Sequence, residues 1–380
     1  MGLEPGWDIE VLCNTLQTLA SGSQHQNLEH LPTYAAPANP GLSDEVREHL
    51  KQLQPEQLSP LPGKGLAHDH IVLDGTDLLL RIPKQSQLGL NALLNLNYQA
   101  ACFERMWPSH HTPQCHGMLE PCADIQMGAL LVEYMPGREP KSAADFASIA
   151  RALASIHRLP LPATEHRAPL YDQPNPMKET FAEVSKQGVY LAKAPLDKRS
   201  LAMIESELAR AQSDVERLAP SPVTLISFDA HPGNYLIDDD GKAVLVDLEK
   251  GRYGGAGFDL AHATLYTSTT WDIDVSIELS LQDVNDFYES WVKEVPKEFG
   301  DAMQPYLIPM RRLMWLWSVT WCCKWLVESK AEVLTLKHQA QSTEDWATDN
   351  NPERLVSHVH ERVSHYLQPD VIERICKEFV

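Results

Sequence analysis

The sequence predicts an α+β chain in which a small antiparallel sheet, over residues 57–133, precedes a larger and mainly helical part. Three observations carry this. From Leu61 the texture changes to short apolar runs, His70–Leu73 and Leu78–Ile82, on either side of an Asp74-Gly75 turn signal. A second pair of runs, Tyr235–Ile237 and Ala243–Val246, brackets Asp240-Gly241, and Asp-Gly between alternating apolar residues signals a tight hairpin. Between and after them, apolar residues recur at three- and four-residue steps, as in Phe146, Ile149, Leu153 and Ile156.

In chain order, residues 1–56 form a polar extension with helical periodicity over Asp8–Ala20 and a second short helix at Glu45–Leu53, broken by Pro32, Pro37, Pro40 and Pro55. It carries no chemistry and reads as a packing or homodimerisation appendage. Leu61-Pro62-Gly63-Lys64-Gly65-Leu66-Ala67 is a glycine-rich lead into the first strand pair. In Leu78–Ile82, Arg81 falls on the face opposite Leu78, Leu80 and Ile82. Asn91–Trp107 is a helix with Leu93, Leu96, Ala100, Phe103 and Trp107 in step, and Ala129–Tyr134 is an apolar strand. Residues 134–380 then supply helices at Ala143–Arg158, Met177–Leu191 and Lys198–Leu218, the hairpin, an aromatic helix around Leu313–Val327, and a last helix from Asp370.

Composition sets bounds. At 380 residues the chain can bury a substantial core. Acids outnumber bases 52 to 32, a net charge of −20, which disfavours nucleic acid and anionic membrane as partners. MGLEPGWDIE lacks the basic start and apolar core of a secretory leader, and Leu313–Val327 is too short to span a bilayer and contains Lys324. Seven cysteines without paired spacing fit reduced thiols in a cytoplasm. His110, His111, Cys115, His116 and Cys122 cluster in sequence, but their spacing matches no tetrahedral zinc pattern, so surface histidines around a loop are the expectation.

The chemistry concentrates at the second hairpin. If Asp240 and Gly241 are the turn, Asn234 stands opposite Asp247, and Leu236 opposite Leu245. Asp229 lies five residues before Asn234, across a loop bent by His231-Pro232-Gly233. Asn234 and Asp247 are hard oxygen ligands suited to Mg²⁺, which leaves Asp229 to orient a hydroxyl or take its proton. A loop Asp and Asn followed by a metal-binding Asp on the next strand is the arrangement used for phosphoryl transfer.

Asp229-Ala230-His231-Pro232-Gly233-Asn234, Val246-Asp247-Leu248-Glu249 and Phe258-Asp259-Leu260-Ala261 resemble the aminoglycoside phosphotransferase and choline kinase superfamily. The catalytic segment departs from the family's usual His-Gly-Asp, reading Ser227-Phe228-Asp229. The resemblance implies a protein-kinase-like two-lobed fold, with an N-lobe at 57–133 and a C-lobe at 134–380. It implies transfer of the γ-phosphoryl of ATP, or GTP, to a hydroxyl of a small metabolite. Asp229 would then be the base or hydroxyl orienter, and Asn234 and Asp247 the Mg²⁺ ligands. Gly63 and Gly65 would cover the phosphates, Arg81 would clamp them (Lys84 being the alternative), and backbone groups from Glu133 to Met135 would meet the adenine edge. Gln99 or Glu104 would support Arg81, Asp259 would brace the catalytic loop, and His157 reads as a cap or core residue. The acceptor is left open. Trp317, Trp321 and Trp325 share a helix face that could grip a quaternary ammonium or simply form core, whereas Arg311, Arg312 and Lys324 could hold an anionic group. A nucleotide-binding module without catalysis, and a protein kinase, are the rival readings; no activation segment follows Asp247.

Overall fold

A computed structural model describes residues 7–21, 42–62, 67–329 and 353–379. These divide into two units, 7–107 with 112–136, and 108–111 with 137 onward.

The first unit is built on a five-stranded antiparallel sheet in the order β1-β2-β3-β5-β4. Its strands are β1 (Leu58–Pro60), β2 (His68–Leu73), β3 (Leu78–Pro83), β4 (Cys115–Leu119) and β5 (Ala129–Glu133). Alternation decides what each face covers. Ile71, Leu73, Leu78, Leu80, Ile82, Ala129 and Leu131 form one core with Leu12 and Leu16 of α1 (Ile9–Ala20) and with Val46 and Leu50 of α2 (Asp44–Lys51). The N-terminal helices thus complete the sheet's hydrophobic face. Asp8 and Ser43 cap them, each side chain accepting an N–H of the first turn. Arg81, paired with Leu130 in the register, points the other way, its guanidinium 5.9 Å from the Phe103 ring of α3 (Ala92–Met106). Strand β4 arises where the histidine-rich loop was expected. Cys115, Gly117 and Leu119 are buried in alternation with His116 and Met118, a period masked because glycine and histidine are weak strand formers.

The second unit is mainly helical. After α4 (Phe146–His157) come α5 (Pro176–Gly188), α6 (Lys198–Arg217), α7 (Ala256–Thr264), α8 (Tyr266–Thr269), α9 (Leu281–Glu294) and α10 (Lys297–Met303), with α7 and α9 packed on α4. The long helix α11 (Leu307–Glu328) is buried on nearly every side over its first three turns, as expected of a helix apolar all round. Two further helices, α12 (Glu353–Tyr366) and α13 (Pro369–Cys376), follow. Two small sheets complete the unit: β6 (Thr224–Ile226) pairs with β9 (Arg252–Gly254), and β7 (Tyr235–Ile237) with β8 (Ala243–Leu245).

The β7–β8 register corrects the sequence expectation by one residue. Tyr235 faces Leu245, Leu236 faces Val244 and Ile237 faces Ala243. The turn has three residues rather than two. Asp238 Oδ1 accepts the N–H groups of Asp240 and Lys242, at 3.0 and 2.8 Å, and Gly241 takes φ +78° in the left-handed region. A type I turn closed by a left-handed glycine suits this loop length, and the acidic residue before it supplies the extra acceptor. In consequence Asn234 meets Val246, whose N–H donates to the Asn234 carbonyl at 2.9 Å, and Asp247 falls one step beyond the pairing.

Candidate active site

The loop leaving β6 makes its sharpest turn at Phe228, at φ +59°. A side chain in that region costs about 1–2 kcal/mol, so something must hold it there. Asp259, buried in the first turn of α7, accepts the N–H of Ser227 at 2.8 Å and of Phe228 at 2.7 Å. It takes a third hydrogen bond from His157 Nε2 at 3.1 Å, and Trp291 Nε1 donates to His157 Nδ1 at 3.0 Å. One buried carboxylate therefore collects three donors and ties the loop to α4 and α9. The second support is packing. The Phe228 ring lies edge-on to Phe258 at 5.9 Å and to Trp317 at 5.8 Å, with the Arg252 guanidinium 3.8 Å over its face.

Asp229 follows with both of its backbone groups bonded. Its N–H donates to Ser227 Oγ at 3.0 Å, and its carbonyl accepts Asn234 Nδ2 at 2.8 Å. Ser227 thus makes a local turn-stabilising bond. The Asp229 carboxylate accepts a hydrogen bond from Lys250 Nζ at 2.9 Å, and His262 Nδ1 stands 3.7 Å from the other oxygen. Burial alone would push this carboxyl up, but Lys250 above all, then His231 and His262, hold it below the usual carboxylate range. Burial likewise works against the Lys250 ammonium, yet Asp229, Glu249 and Asp247 keep it above its ordinary value. The pair is a carboxylate and an ammonium at neutral pH. Burial pushes His262 down to about 4, so it is a neutral imidazole there.

Asn234 is buried in the short turn Pro232–Asn234. Because its amide nitrogen is committed to the Asp229 carbonyl, its side-chain oxygen is the atom left to serve a ligand. Asp247 lies close enough to act on the charges of both Asp229 and Lys250. The structure therefore gathers Asp229, Asn234 and Asp247, and their oxygen donors suit a hard divalent cation.

The residues expected to serve the nucleotide lie in the first unit. Arg81 is buried, with Nη1 3.3 Å from His70 Nε2 and Nη2 3.1 Å from His68 Nδ1. Gln99 Oε1 lies 3.2 Å from His68 Nε2, so Gln99 reaches Arg81 through an imidazole. Glu104 sits in a desolvating site that pushes its carboxyl up, and Lys84 pairs with Asp69 at 3.0 Å. Glu133 ends β5, its N–H donating to the Gln114 carbonyl at 2.8 Å, and Tyr134 N–H donates to Asp77 at 2.8 Å. The next N–H, of Met135, has no partner among the described residues. Gly63 and Gly65 lie outside the described residues.

Two readings of side chains change. Arg311 and Arg312 do not hold an acceptor: both are buried and engaged by Glu378 and Thr264, and by Glu207, Asp214 and the Phe379 carbonyl. The tryptophans of α11 do not form one wall. Trp325 is buried, while the half-buried Trp317 and Trp321 pack on Phe228 and Trp271, the latter at 5.5 Å. Cys115 is a strand thiol that burial pushes up to about 11, and His111 is bonded to the Ala243 carbonyl. All seven cysteines are free. Lys250 and His262 are the site residues the sequence concealed. His262 follows Asp259 by three positions on one helix, the spacing that puts two residues on one face.

Comparison with known proteins bears on the whole arrangement. No curated protein sequence matches the chain. Among solved structures, a choline/ethanolamine kinase family protein from Mesorhizobium loti is 14% identical, covers 88% of this chain and 98% of its own, and has a TM-score of 0.52. A choline kinase from Cryptosporidium parvum is 12% identical over 87% of this chain and 94% of its own, at 0.53. A putative aminoglycoside phosphotransferase from Ralstonia eutropha is 11% identical over 93% and 97%, at 0.54. At such identities the likeness is one of fold, and the fold is protein-kinase-like: a small antiparallel sheet unit and a larger helical one. In sequence, residues 64–294 match the model of the phosphotransferase enzyme family. With that match running through more than half of its length, the chain belongs to the phosphotransferase enzyme family.

Proposed function

We propose that this phosphotransferase moves the γ-phosphoryl group of ATP, with GTP as the alternative donor, to a hydroxyl of a small metabolite such as an amino alcohol, amino sugar or hydroxy acid. One observation carries the proposal: Asp229 is buried yet ionised, and its own carbonyl fixes the Asn234 amide so that an oxygen is left for a ligand. Asp229 accepts the hydrogen bond of the attacking hydroxyl and aligns that oxygen on phosphorus. Such alignment supplies much of the rate in a transfer that asks little covalent chemistry of the protein. Asn234 and Asp247 would hold Mg²⁺, which when bound supplies positive charge to the phosphate oxygens. In the sheet unit, Arg81 would clamp the α- and β-phosphates, Gly63 and Gly65 would lie over them, and Glu133 and Met135 would meet the base through backbone groups. Two relatives named above are choline or ethanolamine kinases by name, which supports a small acceptor. Trp317, packed on the residue before Asp229, offers a half-buried ring to an ammonium group, a contact of ~0.5–2 kcal/mol.

The test is ADP release from Mg-ATP across a panel of amino alcohols, sugars and hydroxy acids. Turnover on one class is expected, with Asp229→Asn abolishing it while ATP binding survives. ATP binding without turnover on any acceptor would instead assign the site to a nucleotide-binding module.

A further inference from the structure

Lys250 lies three residues past Asp247, in a position that the phosphoryl-transfer arrangement of Asp229, Asn234 and Asp247 does not require. Its side chain is only 19% exposed, and its Nζ lies 2.9 Å from Asp229 Oδ2. An ammonium has three N–H donors, and this bond uses one. The backbone that carries it is anchored as firmly as the side chain. Gly251 N–H closes a turn on the Leu248 carbonyl at 2.9 Å, and Arg252 Nε donates to the Lys250 carbonyl at 3.2 Å. Arg252 is the same residue that lies 3.8 Å over the ring of Phe228 and bonds Glu183 of α5. Lys250 and Asp229 are therefore presented by one braced assembly, the acid on one loop and the cation on the next.

This differs from a cation buried only to hold the fold. Arg311 and Arg312 in the same unit are enclosed by acceptors on several sides. An ammonium bonded to the carboxylate that would grip the acceptor oxygen is held beside the place where that oxygen reacts. Resting on the phosphotransfer reading above, we propose that Lys250 is a catalytic cation whose Nζ bridges Asp229 and the oxygens of the migrating phosphoryl group. As the acceptor oxygen bonds to the γ-phosphorus, the bond from phosphorus to the β–γ bridging oxygen breaks, and ADP leaves with that electron pair. The hydroxyl proton passes to Asp229. The negative charge on the three migrating oxygens is met by the two Nζ–H donors not given to Asp229, and a fixed donor aimed at developing charge is worth about 10²–10³ in rate.

The experiment compares wild type, Lys250→Ala and Lys250→Gln in single-turnover ATP cleavage, with water as the acceptor, alongside ADP affinity by calorimetry. Lys250→Ala should slow cleavage about 10²–10³-fold and leave ADP affinity within about threefold, and added methylammonium should restore at least about tenfold of the rate. Lys250→Gln keeps a donor for Asp229, and so the fold, but lacks the charge; it should remain slowed, and it decides the matter should the alanine variant not fold. Cleavage at the wild-type rate in either variant overturns the assignment. So does a loss that methylammonium does not restore and that ADP affinity follows in parallel, which would make Lys250 a structural counterion. A wild-type protein that neither binds nor cleaves ATP overturns the phosphotransfer reading itself, and the role of Lys250 with it.

Discussion

Two places in the helical unit bury charge, and they do so in opposite ways. At the start of α11, Arg311 donates to Thr264 Oγ1 at 2.7 Å, to the Thr264 carbonyl at 3.3 Å and to Glu378 at 3.1 Å. Arg312 donates to Glu207 at 2.8 Å, to Asp214 at 2.5 Å and to the Phe379 carbonyl at 3.1 Å. The acceptors come from α6, from the end of α7 and from Glu378 and Phe379, so two guanidinium forks fasten the C-terminal segment to the core. Around Asp229 the bonding is sparse: among the described residues Lys250 makes one ion pair, and the Nδ1 atoms of His231 and His262 are buried with no hydrogen-bond partner. Buried charge whose every guanidinium nitrogen already donates to protein is architecture. Buried charge with donors to spare costs stability and is retained where a substrate will supply the missing partners.

If that contrast is right, breaking the saturated cluster should harm the fold and spare the chemistry. Arg312→Met removes one cation and leaves the buried Glu207 and the half-buried Asp214 with only the exposed Arg210 and Arg217 as ion-pair partners. Removing one partner of a buried pair costs about 3–5 kcal/mol. Urea unfolding should show that loss, while ADP release per folded molecule stays within about twofold of wild type, since truncations outside a site change stability and not transition-state binding. A fall in turnover per folded molecule exceeding the loss of folded protein would place α11's arginines back in the acceptor site.

A smaller effect separates the sparse cluster by pH. His262 faces Asp229, His231, Lys250 and Asp259, and burial foremost brings it down to about 4 from an ordinary value of 6.5. A histidine depressed in the folded state stays neutral while its unfolded counterpart takes up a proton. Its contribution to stability is therefore intact above pH 6.5 and is lost as pH falls from there toward 4. The loss should reach about 2 kcal/mol by pH 5. His262→Asn, which cannot titrate, should flatten that part of the curve in urea unfolding measured from pH 7.5 to pH 5, a window in which the two proteins otherwise share every carboxylate. Parallel curves for variant and wild type would mean that His262 is hydrated and carries no depressed pKa.

The same contrast explains what could be read from the sequence. Asp229, Asn234 and Asp247 lie within 19 residues, and local turn chemistry brings them together, so their proximity was legible in the pattern though their pairing was not. The helices at Ala92–Met106 and Lys198–Arg217 were legible because periodicity and caps are local. Arg311 and Arg312 were misread because their partners, Glu207, Asp214, Thr264, Glu378 and Phe379, lie 47 to 105 residues away. A basic pair beside tryptophans looks the same in sequence whether its acceptors are substrate or protein. The hairpin slipped by one residue for a subtler reason. Asp-Gly is shared by two-residue and three-residue turns, and Asp238, by accepting two N–H groups, favoured the longer one. Lys250 looked like a flanking charge because the Leu248–Gly251 turn that aims it at Asp229 has no strong sequence signature.

The smallest effect tests whether the catalytic loop carries strain that its brace offsets. Phe228 stands at φ +59°, where the superfamily's usual motif has glycine. Phe228→Ala and Phe228→Gly both lack the ring and its contacts with Phe258, Trp317 and Arg252, so the difference between them isolates the backbone. In ordinary structure glycine is the less stable of the two by roughly 0.5–1 kcal/mol. In the left-handed region the order should reverse, with glycine the more stable by about 1 kcal/mol, because alanine keeps the clash of its Cβ with the carbonyl oxygen while glycine has none. Comparing their urea midpoints at equal slope reads this directly. An alanine variant at least as stable as the glycine variant would show that the loop relaxes out of the left-handed region once the ring is gone. The hydrogen bonds from Ser227 and Phe228 to Asp259 would then follow the packing of the ring, and the braced carboxylate would not be what sets the conformation ahead of Asp229.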